Sequence, residues 1–163
     1  MNIALIGMPA VGKSTIGVVL AKVLGMEFLD TDILLQHTTG QKLRDIIALR
    51  GDDGFKKLEG EVIASLDVAD TVIATGGSAV YSTTGMEHLR QTAIVVYLSA
   101  SYPTLERRLG DLRERGVVLG DKTLSQLYHE REPLYRKYAH IVIDENISIE
   151  DTVEAIIEAI DKM

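Results

Sequence analysis

The stretch "NIALIGMPAVGKSTIGVVLAKVLG", from Asn2 to Gly25, constrains the fold more than any other part of the chain. A β-branched run, Ile3 to Ile6, gives way to Gly7, Pro9 and Gly12. Lys13, Ser14 and Thr15 then open an apolar helical pattern. "GMPAVGKS" (Gly7 to Ser14) fits G-x-x-x-x-G-K-[ST], and its order has a physical cause. Glycines let the backbone curl so that successive N–H groups face an anion. The helix start adds unpaired first-turn donors and a positive dipole end. In such a loop Lys13 reaches the β- and γ-phosphates and the Ser14 hydroxyl ligates Mg²⁺, while Pro9, Ala10, Val11 and Thr15 complete the wrap. The alternative is a Gly/Pro-rich βα turn with a capping serine. A buried strand before the loop and an amphipathic helix after it favour the nucleotide phosphate site.

Four more strand-like runs follow: "MEFLD" (Met26 to Asp30), "TVIAT" (Thr71 to Thr75), "AIVVYLS" (Ala93 to Ser99) and "HIVID" (His140 to Asp144). Most are continuously apolar, as in parallel strands covered on both faces, and helical patterns separate them. In the last of these, Ser148 and Asp151 make a capping-box-like start, and Val153, Ile156, Ile157 and Ile160 form one stripe. Alternating strands and helices predict an α/β domain with helices on both faces of a five-stranded sheet. The helical stretch from Thr31 to Val68 is broken near Gly40 and near "RGDDG" (Arg50 to Gly54), and a polar loop spans Gly110 to Lys122.

At 163 residues, with 46% hydrophobic and 25% charged, the chain has the size and composition of one soluble domain, of a size to act as a monomer. Its net charge of −7 argues against nucleic-acid and anionic-membrane partners. It leaves room for an anionic small molecule in a pocket of local Lys and Arg. The absence of cysteine removes disulfides and thiolate chemistry. The apolar N-terminus has no basic n-region and reads as a buried strand, so the expected location is cytoplasmic. The histidines, His37, His88, His129 and His140, show no metal-ligand spacing.

A phosphate loop alone does not separate a GTPase, a motor ATPase and a small-molecule kinase. There is no N-K-x-D guanine signature, and "VIATGG" ends in Gly76 and Gly77 rather than in the catalytic pattern of a large ATPase. "FLDTD" places Asp30 and Asp32 at the end of the second strand. Either they cap the next helix, or one holds the metal through water while the other aligns a substrate hydroxyl for in-line attack.

With "GMPAVGKS" and "DTD" in hand, the order "GDDGFKKLE" (Gly51 to Glu59), "TGGS" (Thr75 to Ser78), "RERGVVLG" (Arg113 to Gly120) and "REPLYR" (Arg131 to Arg136) resembles the shikimate kinase family nearly end to end. The resemblance implies a P-loop, nucleoside-monophosphate-kinase-like three-layer α/β/α domain built on a five-stranded parallel sheet. It also implies substrate-binding helices over about 31–68, a mobile lid over about 110–122, and phosphoryl transfer from ATP with Mg²⁺. Asp32 would contact the acceptor hydroxyl, Asp30 and Ser14 would work near the metal, and Gly76 and Gly77 would line the acceptor pocket. Arg131 would grip the acceptor carboxylate, Arg115 would close over the phosphates together with Lys13, and Arg108 would lie near the nucleotide. The bland reading of these arginines is a solvated cation beside Glu114 or Glu132.

Three departures matter. Lys56 stands where the family has Arg, keeping the charge but losing the bidentate fork of the second carboxylate clamp. Ser78 replaces the third glycine, and Gly116-Val117-Val118 replaces Pro-Leu-Leu in the lid. Two of these touch the acceptor side. Shikimate is therefore the leading acceptor, with homoserine or gluconate as alternatives and a non-catalytic nucleotide-binding domain as the rival from another class.

Overall fold

The computed structural model describes residues 1–109, 121–144 and 148–163. Five strands form one all-parallel sheet in the order β2-β3-β1-β4-β5: β1 (Ile3–Ile6), β2 (Glu27–Asp30), β3 (Thr71–Ala74), β4 (Ile94–Ser99) and β5 (Ile141–Asp144). All five expected strands are present, each trimmed by no more than a residue at either end. The inner strands β1 and β3 are buried along their whole length, as continuous apolar runs between two helical layers should be. At the edge, β5 alternates buried and exposed residues, because that strand is covered on one face only.

Helices α1 (Lys13–Leu24), α2 (Thr31–Thr39), α3 (Leu43–Ala64), α4 (Thr83–Thr92), α5 (Tyr102–Arg108), α6 (Leu124–Tyr138) and α7 (Ile149–Asp161) alternate with the strands to give the three-layer α/β/α architecture. Both expected breaks in the Thr31 to Val68 stretch occur. Gly40 ends α2 at φ 67, and Gly51 kinks α3 at φ 70, ψ 175, a conformation that suits glycine alone. Ser148 caps α7 by accepting from the Asp151 N–H at 3.1 Å, and its hydroxyl donates to the Asp151 carboxylate at 2.8 Å.

The main core packs Ile3, Leu5, Val72, Val96 and Leu98 of the sheet against Ile16, Leu20, Leu89 and Ile156 of the helices. A second, smaller core of Leu35, Ile46 and Phe55 joins α2 to both arms of α3. It ties the helical region together. No helix among the described residues is long and apolar enough to cross a membrane.

Register positions the site. Leu5 lies opposite Ala74 across β1 and β3, and Asp30 lies opposite Ala74 across β2 and β3. The loops that follow β1, β2 and β3 therefore emerge side by side. In open parallel sheets, that carboxyl edge is where ligands bind.

Ile46 is fully buried in a core of few members. Ile46→Ala is expected to destabilise the fold by about 2–4 kcal/mol through lost burial and a residual cavity. Urea denaturation checks this, and a loss below about 1 kcal/mol would show that the small core does not support the helical region.

Candidate active site

The loop after β1 is shaped by close approach. Gly7 has φ 150, and a Cβ there would stand 2.7 Å from the Leu98 carbonyl oxygen, so only glycine lets the chain turn away beside β4. Ala10 at φ 60 and Gly12 at φ 98 continue the curl into α1. The Lys13 ammonium folds back across the loop and donates to the Gly7 and Met8 carbonyls, both at 2.8 Å. Burial lowers its pKa to about 8, against the pull of Asp32 toward higher values.

Asp30 divides its two carboxylate oxygens between a helix cap and Ser14. Its Oδ1 caps α2, accepting from the Asp32 and Ile33 N–H groups at 2.9 and 3.2 Å. Its Oδ2 accepts from the Ser14 hydroxyl at 2.6 Å, beside the phosphate loop. Two oxygen donors thus converge at the head of α1. Among the described residues no cluster of three or more His, Cys, Asp or Glu side chains is present. A magnesium ion fits this donor set, since it keeps most of its waters and leans on substrate phosphate oxygens rather than on a protein cage.

Asp32 and Glu59 converge on Gly76. A Cβ at Gly76 would lie 2.4 Å from Glu59 Oε2 and 2.9 Å from Asp32 Oδ1. The bare backbone is what admits both carboxylates. A Cβ at Gly77 would meet Pro9 at 2.8 Å and an Arg131 guanidinium nitrogen at 3.0 Å. The Ser78 hydroxyl, added where the family pattern has glycine, turns to Glu59 and donates to its Oε1 at 2.6 Å. Glu59 Oε2 has no hydrogen-bond partner among the described residues.

Burial raises Asp32 to about 6, with the nearby Asp30 charge adding to the rise and Lys13 opposing it. Burial also raises Glu59 to about 7, against the hydrogen bond from Ser78. Arg131 is 1% exposed, and its Nε donates to the Tyr81 hydroxyl at 3.2 Å. Tyr135 donates to the Gly77 carbonyl at 2.6 Å and so fixes the far wall.

These groups line one cleft of about 240 Å³: Pro9, Ala10, Gly12, Lys13, Ser14, Thr15, Asp32, Gly76, Gly77, Ser78 and Arg131, together with Phe55, Glu59, Thr75 and Leu109. Gly7 and Val11 lie buried beneath the loop. Arg108 reaches it from α5, its guanidinium 3.5 Å from the Val11 carbonyl. Arg115 and the rest of the 110–120 segment lie outside the described residues.

Lys56 departs from expectation. It does not line the cleft; its ammonium sits 4.2 Å from the centroid of the Tyr81 ring, beside a separate groove. Four cleft residues, Phe55, Glu59, Thr75 and Leu109, stood outside the candidate site residues. Glu59 was visible at the end of "GDDGFKKLE". Phe55 reads as core, and Leu109 carries no sequence signal.

A parallel sheet with a phosphate loop after its central strand β1, an Asp pair where the edge strand β2 runs into α2, and a glycine turn after β3 between them defines a P-loop kinase fold. The family model for shikimate kinase matches residues 9–161. The shikimate kinase of Symbiobacterium thermophilum is 39% identical over 97% of this chain and 95% of its own length. A shikimate kinase from Acinetobacter baumannii, solved in complex with shikimate, superposes with a TM-score of 0.88 at 34% identity, covering 99% of this chain and 93% of its own. At the level of fold alone, a deoxyadenosine kinase from M. mycoides matches with a TM-score of 0.63 at 17% identity over the full length of both chains. The chain belongs to the shikimate kinase family.

The raised Glu59 pKa sets a sign for stability. Between about 4.5 and about 7 the unfolded chain loses this proton while the folded chain retains it, so Glu59 costs stability as pH rises through that window. Glu59→Gln keeps an acceptor for Ser78 and removes the titration. It should gain on the wild type by about 1–3 kcal/mol between pH 5 and pH 8. Denaturation midpoints at the two pH values check this, and a constant difference would refute it.

Proposed function

We propose that this protein is a shikimate kinase, transferring the γ-phosphoryl group of Mg-ATP to a ring hydroxyl of shikimate. The observation that carries the proposal is that Lys13, Asp32 and Arg131, from three distant parts of the chain, line one cleft. Each fills a different part of the phosphoryl-transfer template, within a family whose members carry that name.

The nucleotide's Mg²⁺, when bound, would neutralise charge on the β- and γ-phosphate oxygens, with Ser14 and Asp30 as its protein-side oxygens. Lys13 sits where its ammonium can pass from the Gly7 and Met8 carbonyls to a phosphate oxygen. Asp32 accepts the acceptor hydroxyl and aligns it. With a pKa near 6 it is ionised at neutral pH and is basic enough to take the proton late, when a loose transition state releases it. Arg131, buried and braced by Tyr81, presents a fork suited to a carboxylate. Arg115 would join from the lid, and Arg108 would flank the nucleotide beside Val11. As a one-domain enzyme of this kind the protein would work as a monomer in the cytoplasm.

The Ser78–Glu59 pair favours a second reading. A buried carboxylate that lines the cleft and has one oxygen without a hydrogen-bond partner among the described residues also suits an acceptor bearing an ammonium, such as homoserine.

Coupled ADP-release assays with shikimate, homoserine, gluconate and no acceptor decide between them. Turnover with shikimate is expected. Turnover with homoserine alone would establish the second reading, and ATP binding without any acceptor-dependent turnover would establish a nucleotide-binding module. Lys13→Ala and Asp32→Asn are each expected to lower kcat by about 10²-fold or more. Only Asp32→Asn should leave ATP affinity intact, as calorimetric titration would check.

A further inference from the structure

Tyr81 ends a short 3-10 turn, Ala79–Tyr81, directly after "TGGS", and no landmark in the sequence order points to it. Yet it touches both cations of the acceptor side. The Lys56 ammonium lies 4.2 Å from its ring centroid, and the Arg131 guanidinium carbon lies at 5.2 Å. Its hydroxyl accepts from Arg131 Nε at 3.2 Å and donates to Glu130 Oε1 at 2.6 Å. Burial and the bond to Glu130 hold its pKa above the ordinary tyrosine value, so the hydroxyl remains a donor at neutral pH.

This arrangement bears on the Lys56 departure. An ammonium is a compact charge on a flexible stem and has no fork to orient itself. What fixes it is the surface it rests on, and here that surface is the negative face of an aromatic ring. The same ring braces Arg131 from the side while the hydroxyl holds its Nε. Two like charges gathered at one ring repel unless anions share their field. Glu130, anchored by the hydroxyl, shares its charge with Lys122 through its other oxygen, so the grip is left short of an anion that a bound carboxylate supplies.

We infer that Tyr81 is the positioning residue of the acceptor-carboxylate grip: its ring and hydroxyl aim Arg131 into the cleft and hold Lys56 beside it. This makes Tyr81 a determinant of specificity for acidic acceptors. The inference rests on the shikimate kinase reading above, and the test separates the two.

The test compares shikimate with its methyl ester, which keeps the ring hydroxyls and loses the anion, in wild type, Tyr81→Phe and Tyr81→Leu. Wild type should prefer the acid strongly in kcat/KM. Tyr81→Leu should raise KM for shikimate about 10-fold or more and lower the acid-to-ester ratio by the same factor, with KM for ATP unchanged. Tyr81→Phe keeps the ring and loses the hydroxyl, so its ratio should fall about 3- to 10-fold, and it carries the test if the leucine variant does not fold. A merely structural role would depress acid and ester together. An unchanged ratio in the phenylalanine variant, or equal loss with both substrates, overturns the assignment of Tyr81 alone. A wild type silent toward shikimate overturns the functional reading and the Tyr81 assignment with it.

Discussion

The site depends on keeping charges out of water without letting them cancel. Lys13, Asp32, Glu59 and Arg131 share one cleft. Burial pulls Lys13 down and pushes Asp32 and Glu59 up. Desolvated charges are costly to assemble, and they interact more strongly than the same groups in water. The fold offsets that cost for three of the four with polar contacts: the loop carbonyls for Lys13, Ser78 for Glu59 and Tyr81 for Arg131. In the proposed function, a cleft organised this way would take an anion at the phosphate loop and a hydroxyl beside Asp32.

Its two halves differ in how they are built. The phosphate half rests on backbone shape, with Gly7 pressed against the Leu98 carbonyl and the loop curled into α1. Side-chain variation there has little room. The acceptor half rests on side chains brought in from α2, α3, α6 and the turn after β3. It can be retuned by single exchanges, and this chain carries two of them. Ser78 turns its hydroxyl on Glu59 and leaves the glycine-lined floor at Gly76 bare. Lys56 lies on an aromatic ring instead of in the cleft. Both fall on the side proposed to hold the acceptor.

The strands, the helix breaks and the phosphate loop were legible in sequence because each has a local cause. Continuous β-branched runs mark buried parallel strands. Gly40 and Gly51 supply left-handed backbone where a helix must stop or kink, and G-x-x-x-x-G-K-S between strand and helix has one economical use. Of the alternatives open in sequence for Asp30 and Asp32, cap or metal and substrate, the structure shows the cap, and Asp30 makes it. One oxygen of Asp30 caps α2, and the other meets Ser14.

The sequence by itself determined the layer architecture, the phosphate loop and the residue types available for chemistry, since periodicity, turn-forming residues and motif spacing act over short stretches of chain. Only the tertiary structure decided which of those residues meet. Parallel register set the loops after β1, β2 and β3 side by side. Packing of α3 and α6 around the turn after β3 then gave Glu59 to Ser78, and Lys56 and Arg131 to Tyr81. Such pairings depend on distances across the fold, and no local pattern encodes the distance between two side chains far apart in the chain.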